Sequence, residues 1–239
     1  MTNPFDEPRL AEIYDALDPD RSDLQAYVAL AETWGARSVL DIGCGTGTFA
    51  CLLAEHGLAV TGVDPAAAMI NVARAKPWAD QVQWVHGDAT ALPSLQVDLV
   101  TMTGNVGQVF VTDEEWASTL RGAYTALRHG GLLVFETRDP QQKAWLRWNR
   151  EQTYQRVEIP RIGAVTTWDE VTDVQDELVT FRSTVILEKD GTVLTSDSTL
   201  RFRQRKEVAE SLVGAGFTVE DVLDAPDRPG LEFVFVARR

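Results

Sequence analysis

The sequence predicts a doubly wound α/β fold, a mainly parallel sheet of seven strands between helices, carrying a small antiparallel β insertion. Three observations predict it. From Arg37 onward, short apolar runs alternate with amphipathic segments, the pattern of a parallel sheet covered on both faces. The first run, Ser38–Ile42, enters a turn with glycine at alternate positions, Gly43, Gly45 and Gly47, and a helix-forming run follows. After Asp139-Pro140 the pattern changes to runs rich in Thr, Val, Phe and Trp separated by turn signals such as Lys189-Asp190-Gly191.

Two helices open the chain, at about residues 7–17 and 22–34, separated by Asp18-Pro19-Asp20, with Ser22 as the expected N-cap of the second and Asp23 in its first turn. Strands are expected at 38–42, 59–63, 82–86, 97–102 and 132–137, with helices at 47–56, 66–75 and 113–128 between them. Antiparallel strands follow at 153–159, 165–171, 178–188 and 193–202. A helix at 206–214 and strands at 218–223 and 231–237 close the chain. The expected organisation is a main domain from residues 1–139 and 205–239, residues 1–36 being its N-terminal helices, with the insertion at 140–204.

The 239 residues carry 22 Lys and Arg against 36 Asp and Glu, a net charge of −14. That field repels phosphate backbones and anionic membrane surfaces, so neither nucleic acid nor membrane is an expected partner. The one basic run, Arg201-Phe202-Arg203-Gln204-Arg205-Lys206, reads as a strand end leading into a helix. Two cysteines seven residues apart, Cys44 and Cys51, do not make a disulfide framework, and no run of about 18 apolar residues spans a membrane. The N-terminal MTNPFDEPRL lacks the charged start and apolar core of a secretory signal, so the expected location is cytoplasmic. No HExxH motif or Cys/His cluster appears, so no metal is expected.

The glycine turn narrows the ligand. A dinucleotide fingerprint, G-x-G-x-x-G, places its third glycine where Thr48 stands, and a P-loop needs a Gly-Lys-Ser/Thr ending that is missing. Three acids follow strand ends instead. Asp41 lies beside the turn, Asp64 ends the second strand where a carboxylate takes both ribose hydroxyls, and Asp88 follows the third, facing the base. Each also suits a turn cap, and Met69, on the helix after Asp64, also suits a helix core.

With these residues in place the chain resembles the class I S-adenosylmethionine-dependent methyltransferases. VLDIGCGTGT, GVDPAAAMI, HGDA, VDLVTMTGN and LRHGGLLVFET stand in that family's order, over about residues 37–139 and again 205–238. The resemblance implies a Rossmann-like sheet whose last strand is antiparallel, and a small-molecule enzyme with a β-rich insertion after strand five. It implies S-adenosylmethionine as methyl donor and S-adenosylhomocysteine as product. Gly43, Gly45 and Gly47 would carry its methionine part, with Asp41 near the ammonium group. Asp64 would bind the ribose, Met69, Asp88 and Ala89 the adenine, and Met102 and Thr103, with Gly104, would flank the sulfonium. The resemblance also implies that residues 1–36 form a helical lid over the S-adenosylmethionine-binding domain, which makes Tyr14 a further candidate contact, and that the insertion at 140–204 covers the acceptor site.

Methyl transfer from a sulfonium is one in-line displacement, so the protein mainly aligns an acceptor and excludes water. An amine acceptor needs only loss of a proton, whereas a hydroxyl needs a base within reach. Candidates for the acceptor site are Asn105, Gln108 and Phe110 after strand four and Glu136 and Arg138 after strand five. Arg138 suits an acceptor anion or a salt bridge with Glu136 or Asp139, and His86 suits the groove or a satisfied surface role. Trp145, Trp148, Tyr154 and Trp168 suit a pocket wall, the insertion's own core or a dimer contact. The expected protein methylates a small molecule, at an amine nitrogen in first place, as monomer or homodimer. The alternatives are O-methylation of a hydroxylated or carboxylated metabolite and a catalytically silent cofactor-binding regulator.

Overall fold

A computed structural model describes residues 4–90, 92 and 94–239. Helices α1 (Pro8–Leu17) and α2 (Leu24–Thr33) precede β1 (Ser38–Ile42), α3 (Thr48–Glu55), β2 (Ala59–Asp64), α4 (Ala67–Ala73), β3 (Val82–His86) and β4 (Val97–Met102). Then come α5 (Asp113–Ala126), β5 (Leu127–Arg138), the short α6 (Arg150–Thr153), and strands β6 (Gln155–Ile159), β7 (Gly163–Gln175), β8 (Leu178–Leu187) and β9 (Thr192–Arg201). Helix α7 (Arg205–Gly214), β10 (Thr218–Asp224) and β11 (Glu232–Arg238) end the chain.

Seven strands form one sheet in the order β10-β11-β5-β4-β1-β2-β3. All neighbours from β5 to β3 pair in parallel, and β11 runs antiparallel to both β5 and β10. The chain leaves β1 toward β2 on one side and returns beside it as β4, so the crevice above the carboxyl ends of β1 and β4 is the topological switch point where α/β sheets bind ligands. One face of the sheet buries Leu40, Ile42, Val100, Met102, Leu133, Phe135 and Phe235 under α5 and α7. The other buries Val39, Leu99, Val134 and Val236 under α2 and α3.

The insertion is a separate antiparallel sheet, β6-β7-β8-β9. Helix α1 wedges between it and the main domain. Ile13, 1% exposed, packs with Val165, Val185 and Leu187 of the insertion, while Ala11 packs with Ala66, Ala68 and Met69 beside β2. Burial of Ile13 alone is worth roughly 2–3 kcal/mol. Arg9 pairs with Asp190 at 2.7 Å, and the Ala68 N–H donates to Asp6 at 3.1 Å.

Two local expectations are corrected. Ser22 does not cap α2, because its N–H is drawn back to the Asp20 carboxylate at 3.1 Å and a turn carries the chain to a helix start at Leu24. Strand β5 begins at Leu127, five residues earlier than the apolar run, because Leu127 already pairs with Val97 before an irregularity at which Gly130 turns left-handed, at φ +82°. The basic run holds the molecule together. Arg201 pairs with Asp113 and Glu177, Arg203 donates to the Phe110 carbonyl and lies over Trp116, and Arg205 lies over Phe233. Among the described residues no helix is long and apolar enough to cross a membrane, and no His/Cys/Asp/Glu group could hold a metal ion.

Candidate functional site

The turn after β1 is held from within. The N–H groups of Gly43 and Cys44 donate to the Val63 carbonyl at 2.8 and 3.1 Å, Gly47 donates to the Cys44 carbonyl at 2.8 Å, and Gly45 donates to Asp64 at 2.9 Å. A phosphate cradle needs free amide donors, and these four are engaged. The three glycines all have φ between +53° and +74°. Their open sides differ. A β-carbon at Gly43 would stand 2.7 Å from Val106, and one at Gly47 would strike Trp84, so these two make room for the protein itself. Only Gly45 has clear space above it.

Around that space stand buried acids. Asp41 is 1% exposed and accepts the Thr101 hydroxyl at 2.9 Å. Burial pushes its pKa up to about 7, with the charge of Asp64 adding and the Thr101 hydrogen bond and Arg21 opposing. Asp64 is 8% exposed, and one oxygen accepts Gly45 N–H while the other accepts Ala66 N–H at 2.8 Å. Burial raises its pKa too, against those two hydrogen bonds. The carboxylate is thus fixed in orientation with lone pairs left over. His86 bonds the Pro65 carbonyl at 3.0 Å, a satisfied surface role.

Helix α1 reaches this turn. Asp15 accepts the Thr46 hydroxyl at 2.6 Å and pairs with Lys76 at 2.5 Å, and Lys76 also reaches Thr48 at 2.5 Å. Tyr14, 44% exposed overall, has a phenol whose pKa is raised by burial, opposed by Arg21 and reinforced by Asp18, Asp15 and Asp64.

Other expected contacts are placed as follows. Asp88 is exposed and accepts Thr90 N–H at 2.8 Å, closing a turn, and Ala89 is buried with its carbonyl against Gly122 of α5. Met69 is buried under Ala11 of α1. The Met102 side chain lies in the core under α5, so only its backbone faces the crevice region, and Thr103 is half-buried at the strand end.

The acceptor candidates fall into one cluster with an exception. Glu136, 5% exposed, accepts Gly104 N–H at 2.6 Å, Asn105 N–H at 3.3 Å and the Tyr27 hydroxyl. Asn105 donates to Glu232 at 3.2 Å, and Arg228 pairs with the same carboxylate at 2.8 Å. Arg138 donates to Gln108 at 2.9 Å, lies 3.8 Å from Glu232 and stacks 5.6 Å above Trp148. Its pKa is lowered by burial, against Glu232. Beside it Trp145 packs edge to face on Phe202 and Trp148 lies tilted against Phe181 and Phe202, with centroids 4.5 to 6.0 Å apart. Trp168 instead bonds Glu170 and sits under Arg150, and Tyr154 is exposed. Phe110 does not join the cluster, because its ring packs on Trp116 at 5.9 Å.

Sequence reasoning missed Arg21, Asp15, Lys76, Tyr27, Arg228 and Glu232. Tyr27 and Glu136 are 109 residues apart, so no spacing links them. Glu232 carried a weak signal, a charge opening the apolar run Glu232-Phe233-Val234-Phe235-Val236.

Comparison with known proteins agrees with this geometry. Residues 39–131 match the family described as a methyltransferase domain. A methyltransferase of Geobacillus sp. (strain WCH70) is 28% identical over 86% of this chain and 85% of its own. Other curated relatives match over about half their own length, and O-methyltransferases are among them. The CcbJ methyltransferase from Streptomyces caelestis superposes with a TM-score of 0.77 at 23% identity, covering 99% of this chain and 98% of its own. The sugar N-methyltransferase KedS8 from Streptoalloteichus sp. ATCC 53650 gives 0.72 at 20% identity, covering 92% and 87%. Residues 39–131 are thus a methyltransferase domain, in a chain that has the fold of the S-adenosylmethionine-dependent methyltransferases.

Proposed function

We propose that this methyltransferase transfers the methyl group to an amine nitrogen of a small molecule. S-adenosylmethionine, when bound, supplies a methyl group on an activated sulfonium, so no residue has to activate the leaving group. The residues suit that cofactor: the amides of the glycine turn are engaged, Gly45 has open space above it, and buried carboxylates face the turn. In this reading Asp41 holds the ammonium end, Asp64 the ribose hydroxyls, Asp88 and Ala89 the adenine edge, and Met69 and Tyr14 close over it. Thr103 and the Met102 backbone border the sulfonium.

The observation that carries the amine assignment is the state of Arg138. The candidate anchor for an acceptor carboxylate is already engaged by Gln108, Glu232 and Trp148. What this end offers is buried carboxylate and half-buried tryptophan, which suit a cationic acceptor. The antiparallel sheet, residues 140–204, roofs that acceptor site in this reading, and its sugar N-methyltransferase neighbour fits the same chemistry. The two buried free cysteines suit a reducing compartment, so we place the protein in the cytoplasm, as monomer or homodimer.

The test is transfer of radiolabelled methyl from S-adenosylmethionine to panels of amines, alcohols and carboxylic acids. Label entering amines is the expected result. Label entering only alcohols or acids would replace it with the O-methylation reading. Tight cofactor binding without any product would favour a silent regulator.

A further inference from the structure

Among the described residues, Glu136 is a buried carboxylate that joins the loop after β4 to helix α2. One oxygen collects two consecutive backbone donors, Gly104 N–H at 2.6 Å and Asn105 N–H at 3.3 Å, and the other collects the Tyr27 hydroxyl from α2. Gly104 and Asn105 are both left-handed, at φ of +71° and +61°, which turns their N–H groups toward one point. Left-handed backbone is disfavoured for a residue with a side chain, so such a turn persists where its surroundings hold it. Tyr27 is itself fixed, edge-on to Phe49 at 6.1 Å in the core below the sheet.

We propose that Glu136 is the positioning residue of the methyl-transfer centre, its carboxylate locking the Thr103–Gly104–Asn105 turn to helix α2 through Tyr27. The role rests on the reading above, in which this turn borders the transferred methyl group. Asn105 gains most from it. Its side-chain nitrogen is taken by Glu232, and its Oδ1 is buried with no donor among the described residues, so the turn presents an acceptor oxygen with unused capacity.

The lock has a protonation state. Burial first, then the neighbouring charge of Glu232, push the Glu136 pKa up to about 7, against the two amide bonds and Arg228. The groups facing it are Tyr27 on α2, Asn105 on the turn, Arg138 on its own strand, and Glu232 and Arg228 at the start of β11. Ionised, the carboxyl accepts all three donors. Protonated, it must donate at one oxygen, and one of the three bonds is given up.

The experiment is a pH titration of the Gly104 and Asn105 amide resonances in 15N-labelled protein, with calorimetry of S-adenosylhomocysteine at pH 8. In the wild-type protein both amide protons move downfield as pH rises, with a midpoint near 7. In Glu136→Gln the titration is gone and S-adenosylhomocysteine binds about tenfold more weakly. In Tyr27→Phe the amides still titrate, at a higher midpoint, because a donor to the ionised form is lost. Amides that titrate identically in Glu136→Gln overturn the proposal. If that variant does not fold, an unmoved midpoint in Tyr27→Phe overturns it. Failure of the wild-type protein to bind S-adenosylhomocysteine is a separate result, which removes the cofactor reading and the positioning role with it.

Discussion

The two ends of the crevice, proposed above as its donor end and its acceptor end, are built in opposite ways. At the donor end, the turn after β1 and Asp64 at the end of β2 lie within 24 consecutive residues, and main-chain hydrogen bonds fix them. At the acceptor end, Tyr27, Asn105, Glu136, Arg138 and Glu232 come from α2, the loop after β4, β5 and β11, and side chains hold one another. A main-chain scaffold tolerates little change and keeps one ligand. A side-chain cluster is replaced residue by residue, so it is where related enzymes part company over substrate.

The contrast gives graded expectations. Asp64→Ala removes the carboxylate that orders the turn and that, in the proposed reading, takes the ribose. Calorimetry should show S-adenosylhomocysteine affinity falling about 100-fold or more, since charge-assisted bonds are each worth roughly 1.5–3 kcal/mol. An unchanged affinity would break the division of labour at its strongest point. Asp41→Asn should weaken the same ligand less, by about tenfold, and should raise stability at pH 8.

The sign of that second effect follows from linkage. Asp41 and Glu136 have folded pKa values raised to about 7 from 3.8 and 4.5. Between those limits the folded chain binds more protons than the unfolded chain, so their contribution to stability falls as pH rises toward 7 and is level above it. Three pKa units correspond to about 4 kcal/mol, an upper bound for each group once the structure relaxes. Calorimetric melting from pH 4 to 8 should show that fall flattened in Asp41→Asn.

Smaller effects separate the ends. Asp15→Asn should loosen helix α1, so that stopped-flow records faster cofactor release with little change in melting temperature, because Asp15 and Lys76 are partly exposed. Arg138→Met should leave S-adenosylhomocysteine affinity within about twofold while changing which acceptors are methylated. A large loss of cofactor affinity there would mean the two ends are one energetic unit.

The same contrast explains what could be read before the structure. The strands and the glycine turn were visible because Asp41, Gly45 and Asp64 sit at fixed short distances from apolar runs that reveal their strands. Glu136 and Arg138 were recognised as lying past a strand end, but their partners were not, since Tyr27 and Glu232 are brought to them only by sheet order. Gly43 and Gly47 were expected to carry the methionine part, and the structure adds that Val106 and Trp84 need the space a β-carbon there would fill, a packing fact that no turn motif encodes. The aromatic residues of the insertion divide the same way: Trp148 faces Arg138, and Trp168 lies under Arg150.

The central claim is that the donor end is an S-adenosylmethionine seat whose buried acid, Asp41, meets the ligand's ammonium group. Calorimetry of S-adenosylhomocysteine at pH 6.5, run in two buffers of different ionisation enthalpy, tests it directly. The account predicts binding with net proton release, because an ammonium partner lowers a pKa that starts near 7, and loss of that release in Asp41→Asn. Absence of binding, or tight binding of NADH in its place, would contradict it.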